Sequence, residues 1–184
     1  MPRRRVSPQD VHTHLAMRLS RYELRIGGGT NVTVRDSRLR HEGTPVYGFS
    51  TSIELIASVT SPEDRVGERF ALSVCGDTPA RWDFSQTLAD RHIRDEAGTL
   101  VYRRRRGESV PVYDIPHGAG FLSKSRGQKR WTGAIWVPAE TATAMLALLA
   151  PAPRHLFISL HELRVVRRRW IVSLSLQTTD PAEE

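Results

Sequence analysis

The feature that most constrains the fold is the alternation of apolar and polar residues in the C-terminal third of the chain, residues 131–178. Three intervals in it repeat with period two, which puts successive side chains on opposite faces of a strand. The interval between the first two is rich in alanine and leucine and is followed by prolines, as at a helix end. We therefore predict the core of the fold here, with strands over 131–137, 154–163 and 170–178 and a helix over 138–150.

The last predicted strand has one strongly apolar face, which carries Trp170, Val172, Leu174 and Leu176. The strand before it offers a matching face with Leu156, Ile158 and Leu160. A residue in such a face is expected in the core. Replacing Trp170 by alanine is accordingly expected to cost about 3–5 kcal/mol if the side chain is buried.

A second pair of alternating segments lies earlier in the chain and predicts a β-hairpin. Residues 61–64 between the two segments read as a turn. Both segments keep period two, so their apolar faces can pair across the hairpin. The residues of these faces are Ile53, Leu55, Ala57 and Val59 on one strand and Phe70, Leu72 and Val74 on the other.

The N-terminal segment predicts a helix. Ser7, Pro8 and Asp10 suit a helix start. Apolar residues then follow four apart, at positions 11, 15 and 19. Turns are predicted at the three glycines of residues 27–29 and at residues 95–98.

The fold class that follows is mainly β with α+β character. Short alternating segments separated by turns predict an antiparallel β-sandwich or a partly open β-barrel, with an N-terminal helix and one helix near 138–150. The 184 residues are expected to form a single β-rich domain, with a basic N-terminal arm over 1–6 and an acidic tail over 180–184. The one cysteine excludes an internal disulfide bond, and neither a secretory signal nor an apolar run of about 18 residues is recognisable. We expect a cytoplasmic protein without a membrane partner.

Positive charge is concentrated in the middle of the chain. Between residues 101 and 130 there are eight basic residues and two acids, so this interval has a net charge of +6 (eight minus two) in a chain of net +7. Three arginine-rich groups would form a phosphate-attracting rim if they met at one end of the sheet. Solvated loop charges that pair with acids elsewhere are the alternative. The residues of the predicted nucleic-acid site are Tyr102, Arg103, Arg104, Arg105, Arg106, Lys124, Arg126, Lys129, Arg130, Arg167, Arg168 and Arg169.

Tyr102 is the best candidate in this set for stacking on a base, because it adjoins the arginines. The other aromatic residues of this region fall in apolar strands, where core packing is the expected role. The leading hypothesis is therefore a non-enzymatic binding module or accessory subunit that binds nucleic acid through an arginine-rich rim.

Two further hypotheses remain open. One is a protein-interaction or structural subunit that meets an acidic partner or a second copy, which an exposed sheet edge would favour. The other is a small hydrolytic enzyme with a site near Asp114, His117 and Lys124, which requires a cavity that joins Asp114 and His117.

Metal and cofactor sites are not predicted. His155 and His161 are able to share a strand face, but the chain has no CxxC and no other chelating spacing. His12 and His14 would point to different faces of the predicted N-terminal helix. The glycine-rich residues 117–120 favour a β-turn over an anion-binding loop.

Overall fold

The computed structural model of the protein describes residues 10–30, 47–77, 84–124, 127–150 and 155–183. Nine strands and one α-helix are found in these residues. They are β1 (Val11–Thr30), β2 (Tyr47–Ser61), β3 (Arg69–Asp77), β4 (Tyr102–Arg105), β5 (Glu108–Pro111), β6 (Gly120–Ser123), β7 (Arg130–Pro138), α1 (Ala139–Leu149), β8 (Phe157–Val165) and β9 (Arg168–Gln177).

Seven of the strands close into a barrel in the order β1-β2-β3-β7-β6-β9-β8, and β4 and β5 form a separate two-stranded sheet. Neighbours in the barrel pair antiparallel except β3 and β7, which are parallel. The mainly β character is confirmed. The sheet closes completely and is mixed, so it is neither an antiparallel sandwich nor a partly open barrel.

The predicted N-terminal helix is wrong, because residues 11–30 form one long strand that pairs with both β2 and β8. A spacing of four residues fits a helix turn and is also an even number, so apolar residues at 11, 15 and 19 share a strand face equally well. Met17 lies between two of these positions and is fully buried, as period two requires. The glycines at 27–29 belong to this strand and not to a turn. Residues 1–9, which include the predicted basic N-terminal arm over 1–6, lie outside the described residues.

The predicted β2–β3 hairpin is confirmed. Leu55 pairs with Leu72 and Ala57 pairs with Phe70, and all four side chains are buried. The strands of the C-terminal third and the helix near 138–150 are confirmed as well, as β7, α1, β8 and β9. The buried side of α1 packs against β3, where Ala142 lies over Gly76. None of the helices in the described part of the chain has the length and apolarity needed to cross a membrane.

A β-bulge interrupts the pairing of β8 with β9. On one side of it Ile171 pairs with Glu162. On the other side Ser173 pairs with His161, which leaves Val172 as the extra residue. An extra residue in one strand inverts the inward and outward positions beyond it.

The bulge changes which side chains of β9 reach the core. Ile171 is fully buried there, so its neighbour Trp170 faces outwards and is half-buried. Leu174 and Leu176, beyond the bulge, pack against the core as predicted. The prediction that Trp170 and Val172 belong to the same inward face is therefore wrong.

Residues 84–119 lie between β3 and β6 and form what we call the arm. The predicted turn at residues 95–98 is confirmed, because Asp95 Oδ1 accepts hydrogen bonds from the amides of Ala97 and Thr99. Beyond it β4 and β5 form a hairpin whose turn residues, Arg106 and Gly107, have positive φ values of 53° and 90°. Most side chains of the arm are exposed.

Candidate anion-binding site at one end of the barrel

Three connections, β2–β3, β6–β7 and β8–β9, meet at one end of the barrel. Arg69 at the start of β3 pairs with Arg130 at the start of β7. Leu122 near the end of β6 pairs with Arg169 near the start of β9. Because paired residues lie side by side, these connections leave the barrel at the same end. We call it the basic end (residues 62–69, 124, 127–131 and 162–169).

A buried carboxylate lies inside the basic end. Glu162 follows Ile158 and Leu160 on the inward face of β8 and is only 1% exposed. Its Oε2 is 2.9 Å from Arg65 Nη1, and its Oε1 accepts a hydrogen bond from Arg169. A buried charge needs such partners, because desolvation would otherwise make it very costly.

Arg65 links this carboxylate to the β2–β3 connection. Its Nε donates to Glu68 Oε2 at 2.8 Å, in addition to the bond with Glu162. Burial acts to lower the pKa of Arg65, but the hydrogen bonds and the attraction of the two carboxylates outweigh it, so this pKa is raised. The guanidinium is therefore held charged inside the basic end.

Trp131 provides a ring surface for three cations of the basic end. Its centroid is 4.6 Å from Arg169 Cζ, 5.2 Å from Lys124 Nζ and 5.8 Å from Arg65 Cζ. Phe70 of the core also packs against the ring, with centroids 6.2 Å apart. The contacts have the geometry of cation–π interactions and tie the β6–β7 connection to β9.

A surface groove of about 510 Å³ opens at this end, and we call it the basic groove. It is lined by Phe121, Leu122, Ser123, Lys124, Trp131, Arg167, Arg168, Arg169 and Trp170. Four of these residues are basic and none is acidic. The charge of Arg169 is balanced by Glu162, whereas Lys124, Arg167 and Arg168 are exposed and form no ion pair within the described residues. Three positive charges are thus left to face an anion.

A second groove of about 330 Å³ adjoins the first and shares Arg167, Arg168 and Trp170 with it. His117 lines this second groove, and its ring centroid is 5.5 Å from that of Trp170. The arm thus returns to the barrel directly beside the basic groove.

The predicted basic residues are brought together only in part. Lys124 and residues 167–169 meet in the basic groove, while Lys129 and Arg130 lie at the same end but line neither groove. Arg126 lies outside the described residues. The remaining members are on the arm, where they line neither groove: Tyr102, Arg103, Arg104 and Arg105 on β4 and Arg106 in the following turn. Tyr102 is 53% exposed, so its ring is accessible to solvent.

Asp114 and His117, suggested as parts of an enzyme site, do not both line either of the two grooves. Asp114 is exposed, and its amide donates to the carbonyl oxygen of Arg91 at 2.8 Å. His117, which follows Ile115 and Pro116 in the chain, lines the second groove. These two grooves therefore do not join the two side chains, and the enzyme hypothesis stays a prediction.

Three histidines cluster on the outer surface where β1 pairs with β8. His12 and His14 share a face because their segment is a strand and not a helix. His12 Nδ1 is 2.9 Å from His161 Nε2, and the His14 ring stacks on that of His161 with centroids 4.2 Å apart. Desolvation, followed by the two neighbouring imidazoles, lowers the pKa of His161. His155 instead bonds to Arg18 at 2.9 Å.

No group of three or more His, Cys, Asp or Glu side chains in the described ranges is arranged to hold a metal ion.

Arg65 and Glu162 were not identified from the sequence as partners at the basic end. A signal for Glu162 was present, since this acid continues the apolar face of Ile158 and Leu160. No comparable local signal marks Arg65, whose partner is 97 residues away in the chain.

Comparisons with known proteins add no further constraint: no protein-family model, no curated protein and no solved structure matches the chain.

Proposed function

We propose that this protein is a non-enzymatic nucleic-acid-binding module in which the basic groove holds the phosphate backbone. The observation that carries the proposal is the convergence of Lys124, Arg167 and Arg168 on a groove without an acidic residue. Arg167 lies in the β8–β9 turn, Arg168 is the first residue of β9, and Lys124 directly follows β6. Cations that converge in this way release counterions from a polyanion, which is the main source of affinity for a phosphate backbone.

The two exposed arginines favour a phosphate group over an anion that offers a single charged atom. A guanidinium presents donors in a planar fork, which matches two oxygens of one phosphate group. Arg167 lies in the tight turn between β8 and β9, and the adjacent Arg168 begins β9. Such a turn limits the freedom of their backbone, so less entropy is lost when a ligand binds.

The buried ion cluster supports the groove from beneath. Arg169 donates to Glu162 and stacks on Trp131, and Trp131 is also the ring against which Lys124 lies. The residues that face the ligand are thus attached to residues whose own positions are held by packing. This supporting layer keeps a binding site preorganised.

The arginines of the arm have a secondary role in the proposal. Residues 102–105 are exposed, and the arm has no buried carboxylate comparable with Glu162 within the described residues. Their charges raise the local concentration of a polyanion near the groove, an effect that salt screens. We expect them to contribute to the rate of association more than to the bound geometry.

Fluorescence anisotropy with a labelled oligonucleotide tests the proposal. Affinity is measured between about 50 mM and about 200 mM salt for the wild type and for the double variant Arg167→Ala/Arg168→Ala. The variant is expected to bind about 10-fold more weakly. The slope of log K against log salt is expected to fall by about 1.4–1.8, because two phosphate contacts are lost.

Arg21→Ala/Arg25→Ala is the matched control, because it removes the same charge from exposed positions of β1 that pair with Glu23 and Glu54. This variant is expected to bind like the wild type. Equal affinity of the groove variant and the wild type would overturn the proposal, as would equal losses in both variants, which would indicate an effect of net charge alone.

A second candidate function is that of a protein-interaction subunit, and one observation favours it. The pairing of β1 with β8 ends at Arg18, so within the described residues only β2 pairs with the later part of β1. Leu24 and Ile26 in that part are 44% and 73% exposed. An unpaired strand edge with exposed apolar residues is suited to pairing with another chain. Light scattering after size exclusion tests this candidate: a monomer that co-purifies with no other chain would count against it.

A further inference from the structure

Next to the basic groove, four aromatic rings form a row across the outer surface of the barrel. Phe121 on β6 is the cross-strand partner of Trp170 on β9. The Phe121 ring packs against Trp136 of β7, with centroids 5.7 Å apart, and His117 packs against Trp170. The row therefore runs from His117 through Trp170 and Phe121 to Trp136.

This row is not part of the barrel core. Leu122 is the inward residue of β6 and is buried, so its neighbour Phe121 faces outwards and is 44% exposed. Trp170 faces outwards because of the bulge in the β8–β9 pairing. The core itself is filled by other side chains, among them Phe70 and Ile171. A single exposed apolar residue has no special meaning, but a row of rings bordering a cationic groove does.

The backbone around the row brings the rings together. At Gly118 an added Cβ would collide with the carbonyl oxygen of Ile171 and would lie 3.3 Å from Trp170 Cβ. The chain therefore passes directly over β9 at this point, and only a glycine permits the approach. As a result the preceding residue, His117, lies against Trp170.

We infer that the ligand of the basic groove is a single-stranded nucleic acid, whose phosphates contact Lys124, Arg167 and Arg168 while its bases stack on the row at Phe121. The inference rests on the proposed function and deepens it. Phe121 lines the basic groove itself, so a ring face and the three cations are within reach of one nucleotide chain. Cations along a groove beside exposed aromatic rings are the combination by which proteins bind single strands.

A duplex fits this surface poorly for a physical reason. In a double helix each base face is covered by its neighbours, so no face is available to Phe121 unless the duplex opens. A single strand exposes its base faces at a lower cost. Stacking on an aromatic ring is possible for all four bases, so the site is expected to show little sequence preference.

Anisotropy titrations with a labelled single strand and with a blunt-ended duplex of equal phosphate number test the inference. The informative variant is Phe121→Leu, which keeps an apolar side chain and removes the aromatic face. We expect it to bind the single strand about 10-fold more weakly than the wild type does, with an unchanged salt slope, because no phosphate contact is lost. The wild type is expected to bind the single strand more tightly than the duplex.

Two comparisons show whether the effect is specific to the row. Phe84→Leu makes the same change at a 42% exposed phenylalanine of the arm and is expected to leave the affinity unchanged. Tyr102→Leu tests the stacking candidate that the sequence favours and is expected to have a smaller effect than Phe121→Leu. Thermal unfolding of each variant confirms that the fold is retained.

The outcomes separate this inference from the function on which it rests. Unchanged affinity in Phe121→Leu, or equal affinity for single strand and duplex, would overturn the inference, while a weaker Arg167→Ala/Arg168→Ala variant would still support the proposed function. A wild type that binds neither nucleic acid would overturn both.

Discussion

The two hairpins that carry consecutive arginines resemble each other in sequence but differ in structure. The β4–β5 hairpin contains residues 103–106 and the β8–β9 hairpin contains residues 167–169. In the first, the arginines of the strand are all exposed and belong to a two-stranded sheet of their own. In the second, Arg169 enters the barrel and bonds to the buried Glu162. Density of positive charge along the chain therefore does not tell which arginines support the fold and which face the solvent.

Cross-strand register explains the difference. In β8–β9 the barrel has an inside, so alternate arginines have different surroundings: Arg169 lies inwards beside a carboxylate, while Arg168 lies outwards in the groove. In β4–β5 both faces of the sheet meet solvent, and Arg105 has only the exposed Glu108 as its cross-strand partner. A hairpin acquires distinct inner and outer arginines only when other strands cover one of its faces.

The strongest test of this comparison removes one carboxylate from each hairpin. Glu162→Gln removes the carboxylate partner of Arg169 and leaves Arg65 paired with Glu68 alone, and loss of one partner from a buried pair costs about 3–5 kcal/mol. Glu108→Gln in the arm is the control and is expected to change the stability by less than about 0.5 kcal/mol. Urea unfolding measures both. Similar small losses in the two variants would mean that Glu162 is not the centre of a buried cluster.

A somewhat smaller effect tests whether the bulge sets the inner face of the β8–β9 hairpin. Ile171→Ala is expected to lose about 2–4 kcal/mol of unfolding free energy, because it leaves a cavity in the core. Trp170→Ala is expected to lose less, although tryptophan is the larger residue, because its side chain lies half-buried on the outer surface. Thermal unfolding of both variants decides the matter. A greater loss of unfolding free energy at Trp170 would indicate that Trp170 faces the core, as the uninterrupted alternation of the sequence predicts.

The smallest expected difference compares one substitution in the two regions. Gly120→Ala in β6 would bring a Cβ against the Ala134 carbonyl and to 2.8 Å from Ile135 Cα, so β6 must shift, at an expected cost of about 2–3 kcal/mol. Gly107→Ala in the β4–β5 turn meets open space, and only its positive φ of 90° opposes it, for about 1–2 kcal/mol. Urea midpoints measure the pair, and a larger loss at Gly107 would show that the positive φ of the turn opposes a side chain more strongly than the close approach of β6 to β7 does.

The basic residues of the candidate site were predictable from the sequence, but their arrangement in space was not. Lys124, Arg167, Arg168 and Arg169 were all chosen from the sequence, yet nothing local places the end of β6 beside the β8–β9 turn. That contact follows from the pairing of Leu122 with Arg169, 47 residues further along the chain (169 minus 122). The arm shows the opposite case, since its arginines were chosen by the same criterion and line neither groove.

By itself the sequence determined what short-range periodicity can determine: a mainly β chain, the β2–β3 hairpin, the helix α1 and the strands β7, β8 and β9. Alternation is a property of neighbouring residues, so it can be recognised without information on the rest of the molecule. Only the tertiary structure decided that residues 11–30 are a strand, that β3 and β7 pair in parallel, and that a bulge turns Trp170 outwards and Ile171 inwards. These choices depend on which distant segment supplies the hydrogen bonds and the apolar contacts. A spacing that fits both a helix and a strand does not indicate which distant segment that is.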